Sequence, residues 1–119
     1  MKTVIVCYPK CTTCKRAEAF LKSIGVQYVY RNIKEDRPSE EELREWHEKS
    51  GLPLKKLFNT SGMLYREIGL STKLAEMDED ETFALLAADG MLVKRPVLLA
   101  GDKVIFGFKE SEWRDALKA

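Results

Sequence analysis

Cys11 and Cys14 stand two residues apart in Cys11-Thr12-Thr13-Cys14, between an apolar run and a helical pattern. Two thiols at this spacing, where a strand hands over to a helix, read as a redox dithiol. Their chemistry is thiol–disulfide exchange, in which one thiolate attacks and the second displaces the resulting mixed disulfide. Cys11 is expected at the helix N-terminus with its sulfur open to solvent, and Cys14 one turn in, facing back. Cys11 is then the attacking thiol and Cys14 the resolver. Helix-start N–H groups favour a thiolate, and Lys10, Lys15 and Arg16 add cationic charge, so Cys11 is expected to be substantially ionised near neutral pH. Lys10, Thr12, Thr13, Lys15 and Arg16 are expected on the substrate side of the pair.

Metal is the rival use of these thiols. Cys7 extends the pair to Cys7-x3-Cys11-x2-Cys14, a spacing also used to hold an iron–sulfur cluster that binds a sulfonium cofactor. That chemistry comes with a barrel far longer than 119 residues. Structural zinc wants four ligands, usually in two pairs, and the remaining nitrogen donor, His47, is far away in sequence. Neither a metal nor a cofactor is expected. Cys7 closes what reads as a buried strand, and free cysteines are among the most buried side chains, so its expected role is core packing. His47, within the polar-rich pattern Arg44–Lys49, is expected on a helix surface.

Length and composition bound the frame. A chain of 119 residues suits one domain, 1–119, around a single core. Twenty Lys and Arg against nineteen Asp and Glu leave a net charge of +1, which implies no polyanion partner, so no direct nucleic-acid binding is expected. No stretch approaches a membrane span, and the start lacks a charged, apolar and cleavable leader. Three cysteines, an odd number with two in a reactive spacing, do not form a secreted disulfide framework. The expected location is the cytoplasm.

The elements that must position the dithiol follow from hydrophobic pattern. Thr3–Cys7 is a short apolar, β-branched run, as for a strand covered on both faces. Lys15–Ile24 carries a helical stripe of Cys14, Ala17, Leu21 and Ile24 widened by Phe20, closed by Gly25 in the C′ position. Val26–Ile33 alternates as a second strand, giving a right-handed βαβ unit. Ser39 and Glu42 form a capping box for a helix through Lys49, with Leu43 and Trp46 inward and Gly51 at its end. Leu52–Leu57 and Ser71–Glu76 read as short helical pieces separated by the turn Asn59-Thr60-Ser61-Gly62. Asp78 and Glu81 signal a further helix, carried by Phe83, Leu85, Leu86 and Ala87 to Asp89-Gly90. The 38–90 block is thus a helical insertion, expected to pack within the same domain. Val97–Ala100 and Lys103–Phe106, joined by Gly101-Asp102, form a hairpin. A last helix, Glu110–Lys118, turns Trp113, Ala116 and Leu117 inward. The expected fold class is α/β, with a four-stranded mixed sheet and helices against it.

The order of elements, Cys11-Thr12-Thr13-Cys14-Lys15 after the first strand, Lys94-Arg95-Pro96 opening the hairpin and Gly107-Phe108-Lys109 closing it resemble the thioredoxin fold. The resemblance is specifically to its arsenate reductase/Spx branch, which carries such an insertion, and it covers essentially the entire chain. It implies a cis Pro96 lying against the dithiol, with the preceding residue presenting backbone polar groups to a substrate disulfide. It also makes Arg95 the cation near the site.

The departures from that pattern are informative. In glutaredoxin-coupled arsenate reductases the cysteine matching Cys11 attacks the oxyanion and several arginines bind it. Arg95 matches one of these. Another is Lys15 here, beside Arg16, and the remaining two fall near Asn59 and around Phe106–Phe108. Lysine does not replace the planar guanidinium fork, so an oxyanion pocket is weakened. Those reductases usually lack the second cysteine. Spx relatives have such a dithiol and use it as a switch while binding the C-terminal domain of the RNA polymerase alpha subunit. The resemblance therefore implies three functions: a thiol–disulfide oxidoreductase using Cys11 and Cys14, an arsenate reductase, or a redox-sensing regulator. Glutathione, glutaredoxin or thioredoxin are the implied reductants for the first two, and the polymerase alpha domain the partner for the third.

Overall fold

The apolar N-terminal run opens the order of elements: β1 (Thr3–Cys7), α1 (Thr12–Ser23), β2 (Val29–Asn32), α2 (Glu40–Ser50), α3 (Met63–Glu67), α4 (Leu70–Lys73), α5 (Glu79–Ala88), β3 (Val97–Ala100), β4 (Lys103–Phe106) and α6 (Glu110–Leu117). Short 3-10 turns lie at Leu54–Leu57, Leu74–Glu76 and Gly90–Leu92. The structure is a computed structural model that describes residues 2–60, 62–67 and 69–118. The chain divides into two compact units, Met1–Ile33 with Arg95–Ala119, and Lys34–Lys94. No helix among the described residues is long and apolar enough to cross a membrane.

The first unit contains a four-stranded mixed sheet in the order β2-β1-β3-β4. β1 runs parallel to β2, with Val4 opposite Val29 and Cys7 opposite Asn32. It runs antiparallel to β3, with Val6 opposite Val97. β3 and β4 form the hairpin, with Ala100 opposite Lys103 across Gly101-Asp102. This is a thioredoxin-like α/β sheet, and β1 in its interior carries the loop that leads to Cys11. The Arg95–Pro96 peptide is cis, and the Pro96 carbonyl accepts from the Gly107 N–H at 2.8 Å.

Helix α1 begins at Thr12, three residues earlier than the apolar stripe alone suggests, because Cys11 caps it. Its end is a Schellman motif: the Gly25 N–H donates to the Lys22 carbonyl at 3.2 Å and the Val26 N–H to the Leu21 carbonyl at 3.1 Å. Gly25, at φ 70°, supplies the left-handed residue this motif needs. The same motif corrects the expected second strand. With the Val26 N–H engaged in closing the helix, β2 starts at Val29 and is four residues long.

One core lies within this unit. Ile5 and Cys7 from β1, Cys14, Ala17, Phe20 and Leu21 from α1, Leu98 and Ala100 from β3, and Trp113 and Ala116 from α6 are buried together. Trp113 is fully buried and its Nε1 donates to the Gly107 carbonyl at 3.0 Å, so its one polar atom is satisfied. Phe108 meets Trp113 edge-on at 5.0 Å between ring centres and Phe20 at 5.7 Å.

The second unit is helical. Ser39 and Glu42 form the expected reciprocal capping box, both bonds 3.1 Å, and Gly51 ends α2 at φ 69°. Leu43 and Trp46 of α2 and Phe83 and Leu86 of α5 are buried. Arg44 ties the two helices, 2.7 Å from Asp80 and with its guanidinium 4.5 Å from the Phe83 ring centre. His47 lies half-buried on α2, edge-on to Phe83 at 5.6 Å. Three expectations shift. The piece expected at Leu52–Leu57 is a 3-10 turn that starts only after Pro53, as proline's fixed φ favours a helix-start position. The piece expected at Ser71–Glu76 is α4 followed by the 3-10 turn. Helix α3 follows the Asn59–Gly62 turn, of which Ser61 lies outside the described residues. Its five residues are too few to show a period.

Candidate active site

Cys11 occupies the N-cap of α1 with extended backbone, φ −87° and ψ 117°. Its N–H donates to the Tyr8 carbonyl at 3.0 Å and its carbonyl accepts from the Lys15 N–H at 3.1 Å, which fixes the residue between strand and helix. The Sγ accepts from the Cys14 N–H at 3.4 Å. Cys11 thus takes the place that serine or aspartate usually fills. Its side chain is half-buried.

Cys14 and Cys7 lie beneath it, 1% and 0% exposed. Burial alone would push both thiols up. Cys14 is instead held low, to about 6: a hydrogen bond from Cys7 is the largest cause, and the Tyr8 N–H, the Cys11 thiol and the Arg95 charge act in the same direction against the cost of burial. Cys7 goes the other way. Its bond to Cys14, its burial and the neighbouring charges of Cys14, Glu18 and Cys11 push its thiol far up, so it keeps its proton.

Arg95 is half-buried, and its guanidinium lies over the Tyr8 ring at 5.5 Å from the centroid. Lys10, Thr12, Lys15 and Arg16 are exposed around the loop and Thr13 is half-buried, while Pro96 is buried at the start of the hairpin. Electrostatically, the structure brings Cys11, Cys14 and Arg95 together, and the cation acting on Cys14 comes from the residue before the cis proline. Two contributors escape the sequence reading. Tyr8 gives a backbone donor and a ring; its only sequence signal is its place in the strand-ending break. Cys7 has the right residue type, but its contact with Cys14 depends on where β1 ends against α1. Behind the thiols, Tyr28 Oη donates to Glu18 Oε1 at 2.8 Å, and burial together with Glu18 pushes this phenol up to about 12. Burial and the thiols push Tyr30 to about 12 as well. Among the described residues no three His, Cys, Asp or Glu side chains are grouped to hold a metal ion.

Residues 7–116 match the model of the ArsC family. The chain belongs to this family. Its thioredoxin-like sheet and N-terminal cysteine cluster are those of an ArsC-like redox fold. The chain is 53% identical over 108 residues to the uncharacterized protein YusI of Bacillus subtilis, covering 91% of this chain and 92% of that protein. A crystal structure described as ArsC family related, from Bacteroides fragilis, superposes with a TM-score of 0.94 at 47% identity over 98% of each chain. The regulatory protein MgsR of Bacillus subtilis is 25% identical over 105 residues, 88% of this chain and 82% of its own.

Proposed function

We propose that this ArsC-family protein is a thiol–disulfide oxidoreductase in which Cys11 attacks a disulfide or small thiol adduct and Cys14 resolves the mixed disulfide. The observation that carries the reading is the contrast between the two cysteines: Cys11, half-buried, caps the helix and its Sγ accepts from the Cys14 N–H, whereas Cys14 is buried with its thiol held low. Cys11 thiolate attacks one sulfur of the substrate, RS–SR′, forming Cys11–S–S–R and releasing R′S⁻. Cys14 thiolate then attacks Cys11 Sγ, the bond to R breaks, and RS⁻ leaves. The substrate gains two electrons and the protein ends with a Cys11–Cys14 disulfide. A thiol reductant, glutathione with glutaredoxin or thioredoxin, returns it to the dithiol by the same exchange in reverse. Attack is fastest when the attacking thiol titrates near ambient pH, which suits the lowered Cys14.

In this reading Arg95 favours negative charge at the pair, and Lys10, Thr12, Thr13, Lys15, Arg16 and Pro96 frame the face from which substrate approaches. The chemistry suits a reducing compartment such as the cytoplasm. Arsenate reduction uses the same attacking thiol, but Arg95 and Arg16 are the guanidinium groups of the site residues, fewer than an oxyanion clamp favours. The similarity to the regulatory protein MgsR supports a second reading, a regulator; the resemblance to the Spx branch would make it redox-dependent, with the RNA polymerase alpha C-terminal domain as its partner.

The test supplies purified protein with glutathione plus glutaredoxin, and separately with thioredoxin, and follows turnover of a glutathione mixed disulfide and of arsenate. A capture assay with the polymerase alpha C-terminal domain runs beside it. Turnover of the mixed disulfide, lost in Cys11→Ser, is the expected result. Arsenate turnover without disulfide turnover overturns the proposal in favour of arsenate reduction. Redox-dependent capture with no turnover of either substrate overturns it in favour of the regulator.

A further inference from the structure

The balanced charge of the chain is unevenly placed. The unit formed by Met1–Ile33 and Arg95–Ala119 holds eleven Lys and Arg against five acids, Glu18, Asp102, Glu110, Glu112 and Asp115, and the other fourteen acids belong to the helical unit. The thiol-bearing unit thus carries a formal excess of six positive charges within a chain of net charge +1. No acid precedes Glu18 in sequence, and none lies in the first turn of α1. Around Cys11 stand cations instead: Lys10 before it and Lys15 and Arg16 after it, all three exposed. Among the described residues none of the three is in an ion pair. Other acids of the unit are engaged or remote. Glu18 accepts from Tyr28 at 2.8 Å and Glu110 is paired with Arg114 at 3.0 Å. Asp102 lies in the hairpin turn beyond Ala100, which pairs with Thr3 at the end of β1 away from Cys7.

We infer that this face selects its substrate by charge: Cys11 attacks disulfides that carry carboxylates beside the reacting sulfurs ahead of neutral or cationic ones, with Lys10, Lys15 and Arg16 as the specificity-determining residues. The inference rests on the thiol–disulfide reading above and adds a substrate class to it. The Lys15 N–H donates to the Cys11 carbonyl at 3.1 Å, which sets Lys15 one turn above the thiol. Long helical side chains lean toward the helix N-terminus, so Lys15 and Arg16 reach back toward the N-cap, and Lys10 is joined to Cys11 directly. Charges on exposed stems attract without enclosing, so selection acts through their summed field and is screened by salt. An arriving carboxylate meets cations that no acid of the protein has neutralised, and a cationic disulfide is repelled. The bonds change as before: Cys11 thiolate attacks one sulfur, the substrate S–S bond breaks and R′S⁻ leaves. Selection precedes this exchange and requires no further reactant.

The experiment uses three disulfides of one skeleton, 3,3′-dithiodipropionate, bis(2-hydroxyethyl) disulfide and cystamine, whose end groups are anionic, neutral and cationic. Attack by the reduced protein is followed by intact mass of quenched samples. Each rate is divided by that of dithiothreitol, a dithiol without fixed charge, to remove the intrinsic reactivity of the disulfide. In wild type at low salt the normalised rates are expected to fall in the order anionic, neutral, cationic, with about tenfold between the ends, narrowing to about twofold in roughly 0.5 M salt. A variant carrying Lys15→Gln and Arg16→Gln, and a further one that adds Lys10→Gln, are expected to narrow the low-salt spread in the same way. Equal normalised rates in wild type, or a spread that salt leaves intact, would overturn selection by charge while leaving the dithiol reading in place. Uniform slowing of all three substrates in the variants, with the spread retained, would assign the cations to the Cys11 thiolate alone and also overturn the inference. Attack on the neutral disulfide that persists at the wild-type rate in Cys11→Ser would overturn the dithiol reading itself.

Discussion

The guanidinium of Arg95 lies 5.5 Å from the centre of the Tyr8 ring, joining the residue before the cis proline to the residue after β1. Tyr8 also lends its N–H to Cys14, and the charge of Arg95 favours a thiolate there. A cation held over an aromatic face keeps its charge while its position is restricted.

Replacing Arg95 with methionine removes a charge that lowers the Cys14 pKa, so the thiolate fraction below neutral pH falls. Release of substrate from a preformed Cys11 mixed disulfide is expected to slow by about twofold at pH 6, with little change at pH 9, where Cys14 is ionised regardless. Stopped-flow release across that pH range measures it. Equal slowing at both pH values would mean that Arg95 acts on something other than the Cys14 charge.

The exposed half of Cys11 makes it the thiol that large reagents meet first. Cys11→Ser is expected to lose the fast alkylation phase, by tenfold or more, while Cys14→Ser keeps it and accumulates a stable mixed disulfide with glutathione. Peptide mapping of the alkylated protein and intact mass after glutathione disulfide treatment check the two halves. A fast phase that survives in Cys11→Ser would reverse the assignment of attacker and resolver.

Reduced protein is expected to show a stability maximum in mild alkali. Cys14 is lowered to about 6 when folded, below the unfolded thiol value of about 8.5. Between these values the unfolded chain binds more protons, so stability rises with pH; the gain is complete above about 8.5 and lost as pH falls through 6. Cys7 is raised when folded, so its contribution is present below about 8.5 and declines as pH climbs beyond it. Urea denaturation of the reduced chain from pH 5 to 10 should trace this rise and fall. In Cys14→Ser the rise should flatten.

Trp113→Phe should leave most of the buried ring in place but remove the Nε1 donor, stranding the Gly107 carbonyl. An unsatisfied buried acceptor costs roughly 1–3 kcal/mol. Denaturant midpoints of the two proteins under reducing conditions would show it. An unchanged midpoint would mean that solvent reaches that carbonyl.

Much of the frame was legible because each signal was local. The strands at Thr3–Cys7, Val97–Ala100 and Lys103–Phe106 end where the sequence pattern ends, since a loop or a two-residue turn interrupts each apolar run. The capping box at Ser39 and Glu42 was equally plain. What was not legible depends on groups meeting across the fold. Alternation in Val26–Ile33 suggested a longer strand, but a helix-closing hydrogen bond at Val26 outweighed it. Lys10, Lys15 and Arg16 lie beside the thiols in sequence, yet the cation that acts on Cys14 comes from Arg95. Cys7 could be read as core, but that its neighbour there is Cys14 depends on the placement of β1 against α1.

The sheet order also matters while the chain is being made. β1 leaves the ribosome ahead of β2 and β3 but lies inside the sheet, between them. Its antiparallel partner spans Val97–Ala100, and the residues that close the core over Cys7 and Cys14 include Trp113 and Ala116. Synthesis runs from the N-terminus, so Cys7 and Cys14 emerge well before the residues that cover them. For most of translation these two thiols are open to oxidants that the finished core excludes, and the nascent chain is the form in which Cys7 is most vulnerable.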